Sequence, residues 1–169
     1  MVTGPLPSWS SPSKTTVLIG DAAHSMTNHM AQGAATSMED GTFLAHCVSA
    51  YIYGTLPTLH SAITLYERER MPRAHAKQQV SFLNGAIWHL PDGPAQRARD
   101  AAMSPELERR YVVRSPNLYG DPGTVLEVYG YDVEGHAEEA INRHTHGEVM
   151  DEAKTTREQR DKYFWFAKL

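Results

Sequence analysis

The chain has 169 residues, of which 41% are apolar and 21% charged; that is enough for one domain with a hydrophobic core and too apolar for disorder throughout. Its formal net charge of -4, with 16 Lys and Arg scattered rather than clustered, excludes a basic surface for a polyanion, so nucleic acid is not an expected partner. The single cysteine, Cys47, excludes an internal disulfide, and its place in an apolar helical pattern reads as a small buried hydrophobe in a reducing compartment.

In chain order, MVTGPLPSWSSPSK reads as a Pro/Ser/Gly-rich loop without the apolar core of a signal peptide. No apolar run reaches the roughly 18 residues of a membrane span, and no repeat recurs, so an unanchored cytoplasmic protein with no membrane partner is expected. Thr15-Thr16-Val17-Leu18-Ile19 is a β-branched apolar run ending on Gly20, which predicts a short buried strand. From about Gly33, the residues Ala34, Met38, Gly41, Ala45, Val48 and Ile52 recur at steps of four and three and predict a helix with that stripe inward.

Gly54 to Pro57 breaks the chain. A second helical pattern follows, with Leu59, Ile63 and Tyr66 on one face and Val80, Leu83 and Ile87 on a later one, and Pro72 is expected to kink or divide it. Glu69 and Arg73, four residues apart, read as an ion pair on a solvated face. Leu90-Pro91-Asp92-Gly93-Pro94 is a turn, followed by a short charged helix through about Met103. Residues 115–133 show no clear period, and 134–163 read as a mostly exposed helix. The aromatic run Tyr163-Phe164-Trp165-Phe166 implies docking on a surface, with packing onto this same molecule the first expectation. His144 and His146 with Glu148 have a metal-ligand look, but in so polar a segment they read as solvated side chains, and no metal is expected.

The stretch GDAAHSMTNHMAQGAATSMEDG, from Gly20 to Gly41, joins the predicted strand to the predicted helix. A strand that ends in Gly-Asp and feeds a helix starting at a glycine is the arrangement by which α/β proteins hold ligands at the carboxyl ends of strands. Asp21 either accepts hydrogen bonds from ligand hydroxyls or caps a turn, and the spacing leaves both open. Gly20 and Gly33 permit close backbone approach, and the amino end of the helix after Gly33 favours a developing anion.

The strings Gly20-Asp21-Ala22-Ala23-His24, Gln32-Gly33-Ala34-Ala35 and Glu39-Asp40-Gly41 together resemble the second flavin-binding motif of the FAD-dependent aromatic monooxygenases, the salicylate hydroxylase-like group of the para-hydroxybenzoate hydroxylase superfamily. YERERMPRAHAKQQVS and HLPDGPAQRARDAAM also resemble the helical carboxyl-terminal half of that family, so the likeness covers roughly residues 9 to 103, with a weaker echo in VYGYD at 128–132. The resemblance implies FAD as cofactor, NAD(P)H as reductant, and hydroxylation of a small aromatic, salicylate-like phenolic substrate with O2. It makes Gly20, Asp21, Ala22, His24, Gln32, Gly33 and Ala34 the cofactor-binding set and assigns no catalytic residue. Asp21 matches the aspartate that binds the ribityl chain, and Gly33 with Ala34 the helix start whose N–H groups face the flavin pyrimidine edge, where a reduced flavin carries negative charge. His24 matches a position that is commonly histidine, with a tie to backbone in a tight loop as its expected role. Glu39 and Asp40 are expected to serve the helix dipole.

Two departures from the family pattern stand out. Asn28 occupies the position where the family usually has proline, which changes the loop beside the flavin. No GxGxxG occurs, and 14 residues precede the strand. The expected fold is therefore mostly α with a short β-strand, the carboxyl-terminal part of an α/β FAD-binding fold lacking the amino-terminal βαβ unit and the substrate sheet. Residues 1–53 would form a residual FAD-binding strand-loop-helix and 54–169 a helical region with an irregular tail. A missing amino-terminal half or a partner chain would complete the enzyme; the alternative is a non-catalytic helical interaction module derived from one.

Overall fold

A computed structural model of the chain describes residues 4–107, 126 and 128–147. The helices with defined bounds are α1 (Asp21–His24), α2 (Gly33–Ile52), α3 (Leu59–Trp88), α4 (Pro94–Leu107) and α5 (Val133–Thr145), with a 3-10 turn at Asn28–Met30 before α2. The mostly helical expectation holds, and no helix among the described residues is long and apolar enough to cross a membrane.

The predicted strand does not form. Thr15–Ile19 contributes one isolated antiparallel bridge, between Ser10 and Val17, and Leu18 and Ile19 are 37% and 45% exposed. A buried parallel strand needs neighbours about 4.8 Å away on its edges, and no strand among the described residues supplies them. The segment instead folds back on the loop before it, where the Leu18 N–H donates to the Trp9 carbonyl at 2.7 Å. That fold-back places Trp9, fully buried, in the core from a stretch whose composition reads as loop.

α2 begins where the sequence predicts but turns a different face inward. Its buried residues are Thr36, Asp40, Phe43 and Cys47, while Met38 of the predicted stripe is 73% exposed. Both stripes satisfy helical periodicity, because small and apolar residues surround this helix, and the polar partners on α3 decide between them. Cys47 is buried as expected, and that burial pushes its thiol up to about 12, with the negative charge of Glu69 adding to the shift.

α3 opens on a capping box: Thr58 Oγ1 accepts from the Ser61 N–H at 3.0 Å, and Ser61 Oγ accepts from the Thr58 N–H at 3.3 Å. The helix runs through Pro72 without dividing. A proline there removes the N–H that would reach the Arg68 carbonyl. The buried side chains on either side of it, Tyr66, Arg70, Arg73 and Ala74, hold the two halves in one packed helix. Ile63, Tyr66 and Val80 are buried as predicted, but Leu83 is exposed.

α4 follows the Pro91–Gly93 turn and extends beyond the predicted end at Met103 to Leu107. α5 is capped by Asp132, whose Oδ1 accepts from the Gly135 N–H at 3.0 Å, and it packs Ala137, Ala140 and Ile141 into the core that α2 and α3 share. Burial of Trp9, Phe43, Leu65 and Tyr66 in that core contributes roughly 1.5–3 kcal/mol per large side chain. The expectations for the aromatic run at 163–166, for residues 148–163 and for Glu148 lie outside the described residues.

Candidate functional site

The segment between Gly20 and Ala34 wraps the amino end of α2 and leans on α3. Gly20 sits at φ 59°, and a Cβ on it would stand 2.7 Å from Ser37 Oγ, so both conformation and space require glycine. Gly20→Ala is expected to destabilise the chain by about 1–2 kcal/mol in chemical unfolding; an unchanged unfolding midpoint would mean that the loop adopts another conformation. Asp21 and Ala22 are exposed at the start of α1, whereas Ala23 and His24 are buried. Ala34 is exposed, Gly33 half-buried and Gln32 buried. A Cβ on Gly33 would lie 3.8 Å from Asp21 Oδ1, so the loop brings the Asp21 carboxylate beside the amino end of α2. No side chain caps that end.

Beneath this exposed edge lies a buried ionic cluster. Asp40 accepts from His24 Nε2 at 2.5 Å, from the Gly20 N–H at 3.2 Å and from Arg70 Nε at 3.0 Å. Glu39 pairs with Arg70 at 2.7 Å, with Arg73 at 2.9 Å and with Lys77 at 2.9 Å. Arg70 also donates to Tyr131 Oη at 3.1 Å, the Arg73 guanidinium lies 3.8 Å from the Tyr131 ring centroid, and His136 Nδ1 meets Tyr131 Oη at 2.6 Å. Loop, α2, α3 and the segment entering α5 thus share one network.

Its charges follow from that geometry. Burial works against the Glu39 carboxylate, but the hydrogen bond from Arg73 and the positive charges of Lys77, Arg73 and Arg70 outweigh it and hold the carboxyl at about 2. Lys77 is pulled the other way, since burial and the neighbouring Arg73 charge lower it to about 8 against the pull of Glu39. Burial also disfavours the Arg70 charge, yet Tyr131, Asp40 and Glu39 more than compensate and raise its pKa above the usual arginine value.

The comparisons with known proteins point the same way. Residues 13–81 match the family described as FAD binding domain. The chain is 31% identical over 140 residues to FAD-dependent monooxygenase OpS4 of Beauveria bassiana (strain ARSEF 2860), which covers 80% of this chain and 31% of that protein. It is 45% identical over 83 residues to 6-hydroxynicotinate 3-monooxygenase of Pseudomonas fluorescens (47% of this chain, 20% of that protein). It is 35% identical over 95 residues to salicylate hydroxylase of Pseudomonas putida (56% of this chain, 21% of that protein). Over these stretches the chain is similar to FAD-dependent monooxygenases. It spans at most about a third of the length of these curated relatives.

Within the region that matches the FAD binding domain, the seven residues singled out by sequence divide into two groups. Asp21, Ala22 and Ala34, with Gly33 beside them, present the exposed edge; Gly20, His24 and Gln32 are buried beneath it. His24 is not tied to backbone as expected. Its Nε2 is held by the Asp40 carboxylate, because a buried imidazole N–H finds a stronger acceptor there than a loop carbonyl would offer. Glu39 and Asp40 are likewise more than dipole complements, and Glu69 and Arg73 do not pair on a solvated face. Both are buried: Glu69 meets Arg68 and His136, while Arg73 meets Glu39. Asn28 starts the 3-10 turn, which ends at Ala31 with φ 52° and packs Met30 inside. Sequence reasoning missed Arg70, Lys77 and Tyr131, although the dense charge of YERER in an otherwise apolar helical pattern was a usable signal. Among the described residues, no group of three or more His, Cys, Asp or Glu is placed to hold a metal.

Proposed function

We propose that this chain supplies the second FAD-binding element of a flavin-dependent monooxygenase that hydroxylates an aromatic, salicylate-like phenolic substrate using NAD(P)H and O2. The observation that carries the reading is the pairing of the exposed Asp21 carboxylate with the uncapped amino end of α2. The donor set fits the cofactor. The Asp21 carboxylate is exposed, accepts no hydrogen bond within the described residues, and offers acceptor oxygens to ribityl hydroxyls. The N–H groups of Gly33 and Ala34, at the positive end of a 20-residue helix, suit the flavin pyrimidine edge. When bound, FAD supplies hydride acceptance and oxygen activation. Gly20, Ala22, His24 and Gln32 complete the assigned set, Ala22 as a small residue permitting close approach and the other three as its buried support.

On this reading the chain corresponds to the carboxyl-terminal part of an α/β FAD-binding fold. The exposed Leu18 and Ile19 would join a sheet that an amino-terminal half or a partner chain provides. The free, buried Cys47 fits a cytoplasmic setting.

The test is the visible spectrum of the purified chain after addition of FAD and removal of free cofactor. Retained flavin absorbance with a raised melting temperature is expected. Asp21→Ala should weaken retention by about tenfold while leaving the far-UV circular dichroism unchanged, the loss anticipated for one charged acceptor. Colourless protein with unchanged melting would overturn the reading for this chain and favour the helical interaction module.

A further inference from the structure

Gln32 immediately precedes α2, and an amide at that position has a choice. Its carbonyl oxygen is an acceptor beside the first N–H groups of the helix, which have no intrahelical partner. Here the side chain turns inward instead: it is 4% exposed, no side-chain cap closes α2, and Gln32 Oε1 accepts a hydrogen bond from Lys77 Nζ at 3.3 Å. Lys77 is anchored on its other side by Glu39 Oε1 at 2.9 Å, about two turns further along the chain in α2. One ammonium group on α3 therefore bridges the residue before α2 and a carboxylate within it.

We propose that Lys77 is a positioning residue for the cofactor edge: by holding the Gln32 carbonyl inside, it keeps the Gly33 and Ala34 N–H groups open to an anionic or carbonyl-bearing ligand. The inference rests on the FAD reading above for its ligand, but the conformational claim stands on this chain alone.

The groups facing Lys77 make it responsive to pH. Glu39 on α2 holds its positive charge, Arg73 and Arg70 on α3 oppose it, and Tyr131, from the segment entering α5, contacts both arginines. His24 and Asp40 lie on the far side of Arg70. With burial added, Lys77 loses its proton near pH 8, well below a solvated lysine. Below that pH the charged bridge holds Gln32; above it, the charge-assisted part of both bonds is lost.

Substitution of Lys77 leaves the fold a sound partner set, because Glu39 retains two guanidinium groups. The experiment follows the 13C resonances of Gly33, Ala34 and the Gln32 side-chain carbonyl in the full, ligand-free chain from pH 6.5 to 10. In the wild type they should move together with a midpoint near 8. In Lys77→Arg they should stay flat at the wild-type low-pH positions, and in Lys77→Met flat at the high-pH positions. Wild-type resonances that stay fixed over this range, or a Lys77→Met chain that titrates like the wild type, would overturn the proposal. A second arm titrates FAD: its affinity should fall about fivefold from pH 7 to pH 9.5 in the wild type, on the scale of a lost cap, and stay level in Lys77→Arg. Resonance changes as expected with no FAD bound at any pH would uphold the positioning role and overturn the cofactor reading instead.

Discussion

Replacing Arg70 with methionine should destabilise the chain by about 3–5 kcal/mol, the range for removing one partner of a buried ion pair. Arg70 is fully buried, and it is the side chain that joins both acids of α2, reaching Glu39 at 2.7 Å and Asp40 at 3.0 Å. Glu39 would keep Arg73 and Lys77. Asp40 would keep only His24 and the Gly20 N–H, so the uncompensated charge falls on the residue that pins the loop. Urea unfolding of Arg70→Met against the wild type measures the loss. Adding Asp40→Asn to Arg70→Met should cost less than the sum of the two single changes, since the second substitution removes the charge the first one stranded. A loss under about 1 kcal/mol for Arg70→Met, or full additivity, would show that water reaches the cluster and that the acids do not depend on this arginine.

Acid should unfold the chain through this cluster and through a second buried carboxylate, Glu67. Glu39 is held at about 2 against an ordinary value of 4.5, and Glu67 also at about 2. For Glu67, burial is outweighed by hydrogen bonds from Lys14, Ser8, Ser10 and the Trp9 N–H. For a carboxyl whose folded value is depressed, the unfolded chain binds more protons as pH falls, so stability is present above pH 4.5 and is lost progressively as pH falls toward 2. Glu39 alone accounts for roughly 3 kcal/mol of that loss by linkage. Thermal unfolding between pH 5 and 2 should show a steep fall, and Glu39→Gln should flatten it. A wild-type curve level down to pH 3 would contradict the ionic account of this core. Lys77 titrates with the same sign on the alkaline side: its folded value is the lower one, so its buried charge weighs against the fold below pH 8 and stability rises as pH climbs from 8 toward 10.5.

The sequence by itself determined the helical character, the start of α2 at Gly33, the break at Gly54 to Pro57, and the burial of Cys47, Ile63 and Tyr66. These follow from local rules: periodicity, turn residues and the intrinsic preferences of small and apolar side chains act over a few residues. The motif from Gly20 to Gly41 also carries the flavin resemblance in sequence alone, because its order of glycine, acid and histidine is specific as a string.

Three features needed the tertiary structure. Thr15–Ile19 has strand composition, but strands are made by neighbours, and among the described residues it has only the bridge from Ser10 to Val17. The inward face of α2 was ambiguous in sequence, since two stripes a hundred degrees or more apart both satisfy the period. Asp40 settled it, because a buried carboxylate must meet its cation, and Arg70 approaches from 30 residues away. The charged side chains Glu69 and Arg73 read as solvent-facing for the same reason. Composition scores each residue alone, whereas the low cost of burying these groups exists only once opposite charges from α2, α3 and the segment before α5 have been brought together.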